Sequence, residues 1–344
     1  MSLREQLKAV VGGEVLTAAE MEAAMDQIMS GAAEPIEAAG LLAALATRGE
    51  SVEEVTGAAR SMRRHADRFP SARAAEAIDT CGTGGDGAGT FNISTAAAFV
   101  VAAGGVPVAK HGNRAVSSRS GSADLLVALG ARIDLAPGPM AAVFERCGIG
   151  FLFAPVYHKA MRHAMPVRRG LGIRTIFNLL GPISNPAGVR RQVIGVFHPR
   201  WLALAEVLGQ LGSSRALVVH GEPGLDELSL MGTTQVAELH ADGRVTRYLV
   251  APEEVGLARC GEGELAGEDA AGNAGVLRGI FEPSDGAMGA IARAVAYNAG
   301  AGLWVGGAAE GLGEGVELAV GLMRSGAAMA KLEAFVAATA EVGA

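Results

Sequence analysis

The sequence predicts an α/β protein built from a small N-terminal helical domain and a larger α/β domain with a mainly parallel sheet. Residues 1–70 hold helical patterns with no strand pattern between them. From Pro70 onward, short apolar runs alternate with glycine turns and Ala-rich helices. Half of the 344 residues are hydrophobic, enough for one large or two unequal cores.

The helices come first. Thr17-Ala-Ala-Glu20 is a capping box ahead of Met21, Ala24, Met25 and Ile28, which share one helix face. Pro35 suits a first helical turn and opens IEAAGLLAALATRG. Ser51-Val-Glu-Glu54 is a further start signal, before EEVTGAARSMRRHADRF. PSARAAEA, from Pro70, marks the boundary.

Beyond it AIDTCG reads as a strand, STAAAFVVAAGG as a helix, VPVAKHG as a strand and SGSADLLVALGA as a helix. RQVIGVF and RALVVHG read as strands separated by the helix WLALAEVLGQLG. Between these halves, GFLFAPVYHKAMRHAMPVRRGLGIRTIFNLLGPISNPAG lacks clean strand alternation, and its HKAMRHAMPVRRGLG part can return to pack on the N-terminal helices. The expected division is therefore 1–70, joined by part of 155–185, and 71–344.

Acidic and basic residues are mixed along the chain and the net charge is -7, which argues against nucleic acid or an anionic membrane as partner. The N-terminus has no secretory pattern, and the longest apolar run, Ala96 to Ala109, is 14 residues with an internal proline. The expectation is a soluble, cytoplasmic protein. Cys81, Cys147 and Cys260 show no C-x-x-C spacing, so neither a disulfide framework nor a cysteine zinc site is expected. Cys81, inside a glycine loop, reads as a small strand-end residue in preference to a nucleophile.

That loop is DTCGTGGDGAGTFNIST. Gly82, Gly84 and Gly87 match the dinucleotide pattern G-x-G-x-x-G, a weak signal in a chain with 49 glycines. A dinucleotide site also needs a helix opening at the loop and an acid about 20 residues on. Here AGTFNIST intervenes before a helix expected near Ala96, and the next strand ends in the cationic KHGNR. What the loop offers is an anion cradle: glycine N–H groups, the side chains of Thr90, Asn92, Ser94 and Thr95, and a helix N-terminus. The bland alternative is a set of ordinary turns with Ser94-Thr95 as an N-cap.

A second motif, KHGNRAVSSRSGSADLLVALG, sets Lys110, His111, Arg114 and Arg119 beside Ser117, Ser118, Ser120 and Ser122 at another strand end. Two such loops facing one crevice favour a phosphate or pyrophosphate ligand. In a third, GLDELS, the adjacent Asp226 and Glu227 suit magnesium near a polyphosphate. The same acids also suit the start of a helix at Glu227-Leu228.

Together with VRRGLGIRTIFNLLGPISNPA, these motifs closely resemble, in order and spacing over almost the whole chain, the anthranilate phosphoribosyltransferase family. Its members join anthranilate to phosphoribosyl pyrophosphate (PRPP) in tryptophan synthesis. The resemblance implies a nucleoside phosphorylase/phosphoribosyltransferase-like fold, a hinge between the domains and a homodimer. It implies PRPP binding by Gly82, Gly85, Asp86, Thr90, Asn92, Ile93, Ser94 and Thr95. The second loop would add Lys110, His111, Gly112, Asn113, Arg114, Ala115, Val116, Ser117, Ser118 and Ser122. Magnesium would lie on Ser94, Asp226 and Glu227, and anthranilate on Gly82, Asn113 and Arg168, with Arg169 an adjacent alternative. Lys110, Asp226 and Glu227 are the implied catalytic residues.

Departures from the family pattern are Lys159, where proline is expected, and Ile183-Ser184, where Leu-Thr is commoner. The competing readings are a pyrimidine nucleoside phosphorylase, a nucleic-acid-binding relative of the fold and a dinucleotide oxidoreductase.

Overall fold

Short capped helices open the chain. In the computed structural model, which describes residues 1–115 and 119–342, these are α1 (Leu3–Val11), α2 (Ala18–Ser30), α3 (Pro35–Arg48) and α4 (Val52–Arg64). Val116, Ser117 and Ser118, expected PRPP contacts, lie outside the described residues. The Thr17–Glu20 and Ser51–Glu54 capping boxes form, and Pro35 occupies the first turn of α3. α1 starts on its own box, Ser2–Glu5. Each box satisfies N–H groups that the first turn would leave open.

Glu54 is more than a cap. Its buried carboxylate accepts from Leu16 N at 3.0 Å and Ser51 N at 2.9 Å and pairs with Arg48. One side chain thus ties three segments of the helical part together. α2 and α4 approach so closely that a methyl on Gly57 would lie 2.1 Å from the carbonyl oxygen of Ala18.

The α/β part runs β1 (Ile78–Gly82), α5 (Ile93–Ala103), β2 (Val108–Gly112), α6 (Ser122–Ala128), α7 (Pro137–Cys147) and β3 (Ile149–Phe153). It continues with α8 (Ala154–Tyr157), α9 (Met161–Leu171), α10 (Phe177–Ile183), β4 (Arg191–Gly195), α11 (Leu204–Gln210) and β5 (Arg215–Gly221). β6 (Thr234–Leu239), β7 (Val245–Val250), α12 (Ala270–Phe281), α13 (Ala290–Gly306), α14 (Leu312–Arg324) and α15 (Ala327–Glu341) complete it. The sheet order is β3-β2-β1-β4-β5-β6-β7, parallel through β5 and antiparallel for β6 and β7.

Strand alternation splits the core in two. Val193, Leu217 and Val219 face a layer that includes α5, α7 and α12 to α15, while Ile194, Ala216 and Val218 face the helical bundle, α10 and α11. α9 lies against α2 and α3. The chain leaves β1 through α5 on one face and leaves β4 through α11 on the other. Such a divergence opens a crevice at the carboxyl ends of two adjacent strands.

The IGFLF run, part of the stretch that lacks alternation, is strand β3. It pairs with β2 and is buried along most of its length, so it needs apolar residues on both faces and shows no period of two. The β6–β7 hairpin adds an antiparallel edge to a sheet whose sequence signals were all parallel.

A methyl at Gly57 meets fixed backbone, whereas one at Gly275, exposed within α12, meets nothing within 4 Å. Gly57→Ala is expected to destabilise by about 1–3 kcal/mol through overpacking. Gly275→Ala is expected to stabilise by up to about 1 kcal/mol through helix propensity. Urea unfolding of the two variants checks both signs.

Candidate active site

The crevice floor is laid by the loop after β1. Gly84, Gly85, Gly87 and Gly89 all adopt positive φ, between 61° and 76°, so side chains there would be strained. Thr83 anchors the start: its N–H donates to Gly195 O at 2.9 Å and its hydroxyl accepts from Phe197 N at 3.1 Å. The loop leaves the Gly85, Asp86 and Gly87 N–H groups without a partner among the described residues. Gly84 N–H is not free; it donates to Asp226 Oδ2 at 2.7 Å.

Asp226 reaches the loop because two glycines make room for it. A methyl on Gly82 would sit 2.3 Å from Asp226 Oδ2, and one on Gly195 only 1.5 Å from Asp226 O. Glu227 Oε1 accepts from Ser94 N at 3.1 Å, at the first turn of α5. Residues 226–228 are not helical, so the acids do not begin a helix. A buried asparagine on α13 holds the chain there: Asn298 Oδ1 accepts from Leu228 N at 2.9 Å, and its amide donates to Leu228 O at 3.1 Å.

The pair is electrostatically costly. Both carboxyls are half-buried on the crevice floor, and desolvation first, then like charge, pushes each well above the usual carboxylate range. Asp86 is the main neighbouring charge on Asp226, and Asp226 on Glu227. Asp86 Oδ2 is buried without a hydrogen-bond partner among the described residues. Opposing them is Lys110, whose charge favours ionised Glu227.

Lys110 itself lies beneath the floor, 4% exposed, donating to Thr80 O and to Ser94 Oγ at 3.4 Å. Its other buried neighbour is Asp79, held at about 6 by burial against the attraction of Lys110 and the bond from Asn185 Nδ2 at 2.8 Å. His111 is also buried; its Nδ1 lies 3.0 Å from Gly181 O, and its Nε2 has no partner among the described residues. Its ring sits 4.9 Å from that of His158. Burial lowers His111 to about 3 and His158 to about 4, so both are neutral at pH 7. Burial raises the Cys81 thiol far above its ordinary value, consistent with a packed residue.

The two loops are laced together. α5 begins at Ile93 with Asn92 at its N-cap, three residues earlier than the sequence suggests, and Ser94-Thr95 falls inside its first turn. Asn92 caps nothing with its side chain. Its Nδ2 donates to Ser120 O at 3.0 Å, while its Oδ1 accepts from Asn273 Nδ2 at 2.9 Å. Thr90 bridges to Ala266, and Gly267 N donates to Gly89 O at 2.8 Å. Gly112 ends β2 beside Ser122, whose hydroxyl donates to Asn113 O at 3.2 Å. Asp124 gathers Ala115 N at 2.9 Å, Gly121 N at 3.0 Å and Arg114 at 2.8 Å, so Arg114 is already paired.

Arg168 and Arg169 differ sharply. Arg168, on α9, is half-buried with its guanidinium 5.2 Å above the Phe177 ring, and no carboxylate pairs with it among the described residues. Burial lowers its pKa, the mark of a cation lacking a counter-charge. Arg169 is exposed.

An all-oxygen donor set of two adjacent carboxylates suits magnesium. Among the described residues, no group of three or more ionisable ligands could hold a metal by itself. Asn298, Asn273, Asn185 and Asp124 were not singled out from the sequence, and only the capping-box spacing of Asp124 before LLVALG hinted at a role.

The raised carboxyls fix a sign. A carboxyl with a higher pKa folded than unfolded loses folding stability as pH climbs from the ordinary carboxylate range past neutrality. Glu227→Gln removes one such group. In the metal-free protein its melting temperature is expected to match wild type near pH 5 and to exceed it increasingly toward pH 8. Calorimetric melting across that range checks this, and a variant less stable than wild type at pH 8 contradicts it.

Comparison with known proteins places this geometry. Residues 4–66 match the helical bundle domain of the glycosyl transferase family and residues 74–329 its a/b domain. The chain is 50% identical over 341 residues to anthranilate phosphoribosyltransferase of Thioalkalivibrio sulfidiphilus, covering 99% of both. It is 51% identical to that of Rubrobacter xylanophilus, covering 97% of this chain and 96% of the other. The Thermus thermophilus enzyme structure superposes with TM-score 0.90 at 47% identity, covering 97% and 99%. The Saccharomyces cerevisiae enzyme in complex with PRPP and Mg superposes with TM-score 0.87 at 27% identity, covering 98% of each. The chain belongs to the anthranilate phosphoribosyltransferase family.

Proposed function

We propose that this protein transfers the phosphoribosyl group of PRPP to the amine of anthranilate, releasing pyrophosphate, in tryptophan biosynthesis. The observation that carries the reading is the juxtaposition at the β1/β4 crevice: unpartnered loop N–H groups beside two half-buried, electrostatically strained carboxylates. The relatives' names support it over the phosphorylase and nucleic-acid-binding alternatives.

PRPP is held by Gly82, Gly85, Asp86 and Thr90, by Asn92 to Thr95, and by the loop from Lys110 through Ser118 with Ser122. Asp226 and Glu227, with Ser94, hold magnesium, which neutralises charge on the departing pyrophosphate. The yeast relative's complex with PRPP and Mg supports that assignment. Lys110 acts from below, lowering the cost of ionising Glu227 and donating to the Ser94 hydroxyl. The donors at the floor are in place before the reaction, so little reorganisation is needed as charge develops.

Anthranilate binds at Gly82, Asn113 and Arg168. The unpaired guanidinium of Arg168 suits a carboxylate, and Asn113 can accept from the amine. An arylamine is already neutral at pH 7, so attack on the anomeric carbon needs no strong base. The neutral His111 and His158 add no second cation to this side. Positioning then does much of the work. Arg168 rides on α9, which packs on α2 and α3, whereas the PRPP loops belong to the sheet. We take residues 1–70 with part of 155–185 as one unit and 71–344 as the other, closing to shield the ribose from water. Exposed Val11, Val15 and Ile36 on the helical part support a homodimer. No helix among the described residues is long and apolar enough to cross a membrane, and the working place assigned is the cytoplasm.

Protein mixed with magnesium, PRPP and anthranilate is expected to consume anthranilate fluorescence, and no loss in any component combination overturns the reading. Arg168→Ala is expected to raise the anthranilate KM on the order of tenfold or more, as for a charged hydrogen bond, with the PRPP KM kept. An unchanged constant transfers the role to Arg169. Asp226→Ala with Glu227→Ala is expected to abolish magnesium-dependent turnover in a folded protein. Undiminished turnover at low magnesium removes both from the mechanism.

A further inference from the structure

One cation at the crevice has no role in the account above. Arg174 follows α9 in the LGIRT segment, two residues beyond the left-handed Gly172 that ends the helix. Its guanidinium stacks on the Phe197 ring, with Cζ 4.2 Å from the centroid, and its Nη2 donates to Gly85 O. Phe197 N donates to the Thr83 hydroxyl at 3.1 Å. The backbone that carries this ring is therefore hydrogen-bonded to the loop two residues before Gly85. Thr83, Phe197, Arg174 and Gly85 form a closed bracket around the start of the glycine loop.

Several arginines of this protein have carboxylate partners, Arg48 with Glu54, Arg114 with Asp124, Arg200 with Glu50 and Arg247 with Glu206, whereas Arg168 has none among the described residues. No carboxylate pairs with Arg174 among the described residues, although it is exposed and stands beside a loop near three acids. Its sole hydrogen-bond partner there is a carbonyl, so the rest of its fork is unspent. The left-handed φ of 75° keeps Gly85 for glycine, and a methyl there would lie 3.2 Å from Nη2. A planar fork with free donors, held by stacking next to the unpartnered N–H groups of Gly85, Asp86 and Gly87, is matched to a pair of phosphate oxygens.

We propose that Arg174 is a further PRPP-site residue, bracing the glycine loop through Gly85 and presenting its remaining N–H donors to the diphosphate. The inference rests on the functional reading above and extends it. It also connects the two substrates: Arg174 continues from α9, which carries Arg168, so the segment that receives anthranilate also touches the pyrophosphate loop.

The test uses the full chain and its Arg174→Gln and Arg174→Lys variants, titrated calorimetrically with inorganic pyrophosphate plus magnesium and assayed for turnover. Arg174→Gln is expected to weaken magnesium pyrophosphate binding and raise the PRPP KM on the order of ten- to a hundredfold, the effect of losing a hydrogen bond to a charged group. Its anthranilate KM and melting temperature are expected to stay at the wild-type values. Arg174→Lys, keeping the charge without the fork, is expected to fall between. Wild-type pyrophosphate affinity in Arg174→Gln overturns the proposal. So does a loss of melting temperature with both Michaelis constants raised alike, the mark of a strut alone. A wild-type protein that binds neither PRPP nor pyrophosphate overturns the functional reading, separately from the variant comparison, and this inference with it.

Discussion

Everything at the crevice is arranged around two adjacent carboxylates that would be more stable protonated. Asp226 and Glu227 sit half-buried beside Asp86 and are pushed up by desolvation and by one another. Left alone, such a pair would take up protons or swing into solvent. It cannot swing away, because the backbone on both sides is pinned. Gly82 and Gly195 give Asp226 a place that any side chain would fill, Gly84 N and Ser94 N each bind one carboxylate, and Asn298 holds the next peptide. The strain is held in the resting protein, and a bound cation would relieve it.

A layer of neutral amides supports this charge cluster. Asn298 clamps the acidic loop, Asn273 fixes Asn92 and so joins the loops that follow β1 and β2, and Asn185 binds Asp79 Oδ2 and Ala109 O beneath them. All three are nearly fully buried. Amides suit the task because each can donate and accept at once without adding charge where like charge is already the problem. The buried histidines are consistent with it, since burial keeps both neutral.

What could be read in the sequence was whatever its own neighbours decide. The Thr17 and Ser51 boxes declare themselves because cap and partner lie three residues apart. The positive-φ run of the glycine loop is similarly local, since few other residues would occupy it. β3 was hidden because a strand buried on both faces loses the alternation that marks a strand. The start of α5 was placed late because the Asn92 side chain serves a distant loop and the cap geometry falls elsewhere. The amides were hidden most deeply: Asn298 reaches 70 residues back and Asn273 181 residues back, and nothing adjacent to either announces a partner. Arg174 lay inside a recognised motif, but its task depends on Phe197 and Gly85 meeting it in space.

On the proposed function, the carboxylate pair is partly protonated until magnesium-bound substrate arrives. The most direct measurement is the number of protons released when preformed magnesium PRPP binds at pH 7, obtained by calorimetry in buffers of different ionisation enthalpy. Wild type is predicted to release on the order of one proton per site more than Glu227→Gln, because ionised carboxylates are required on binding. Equal proton counts in the two proteins would contradict the account.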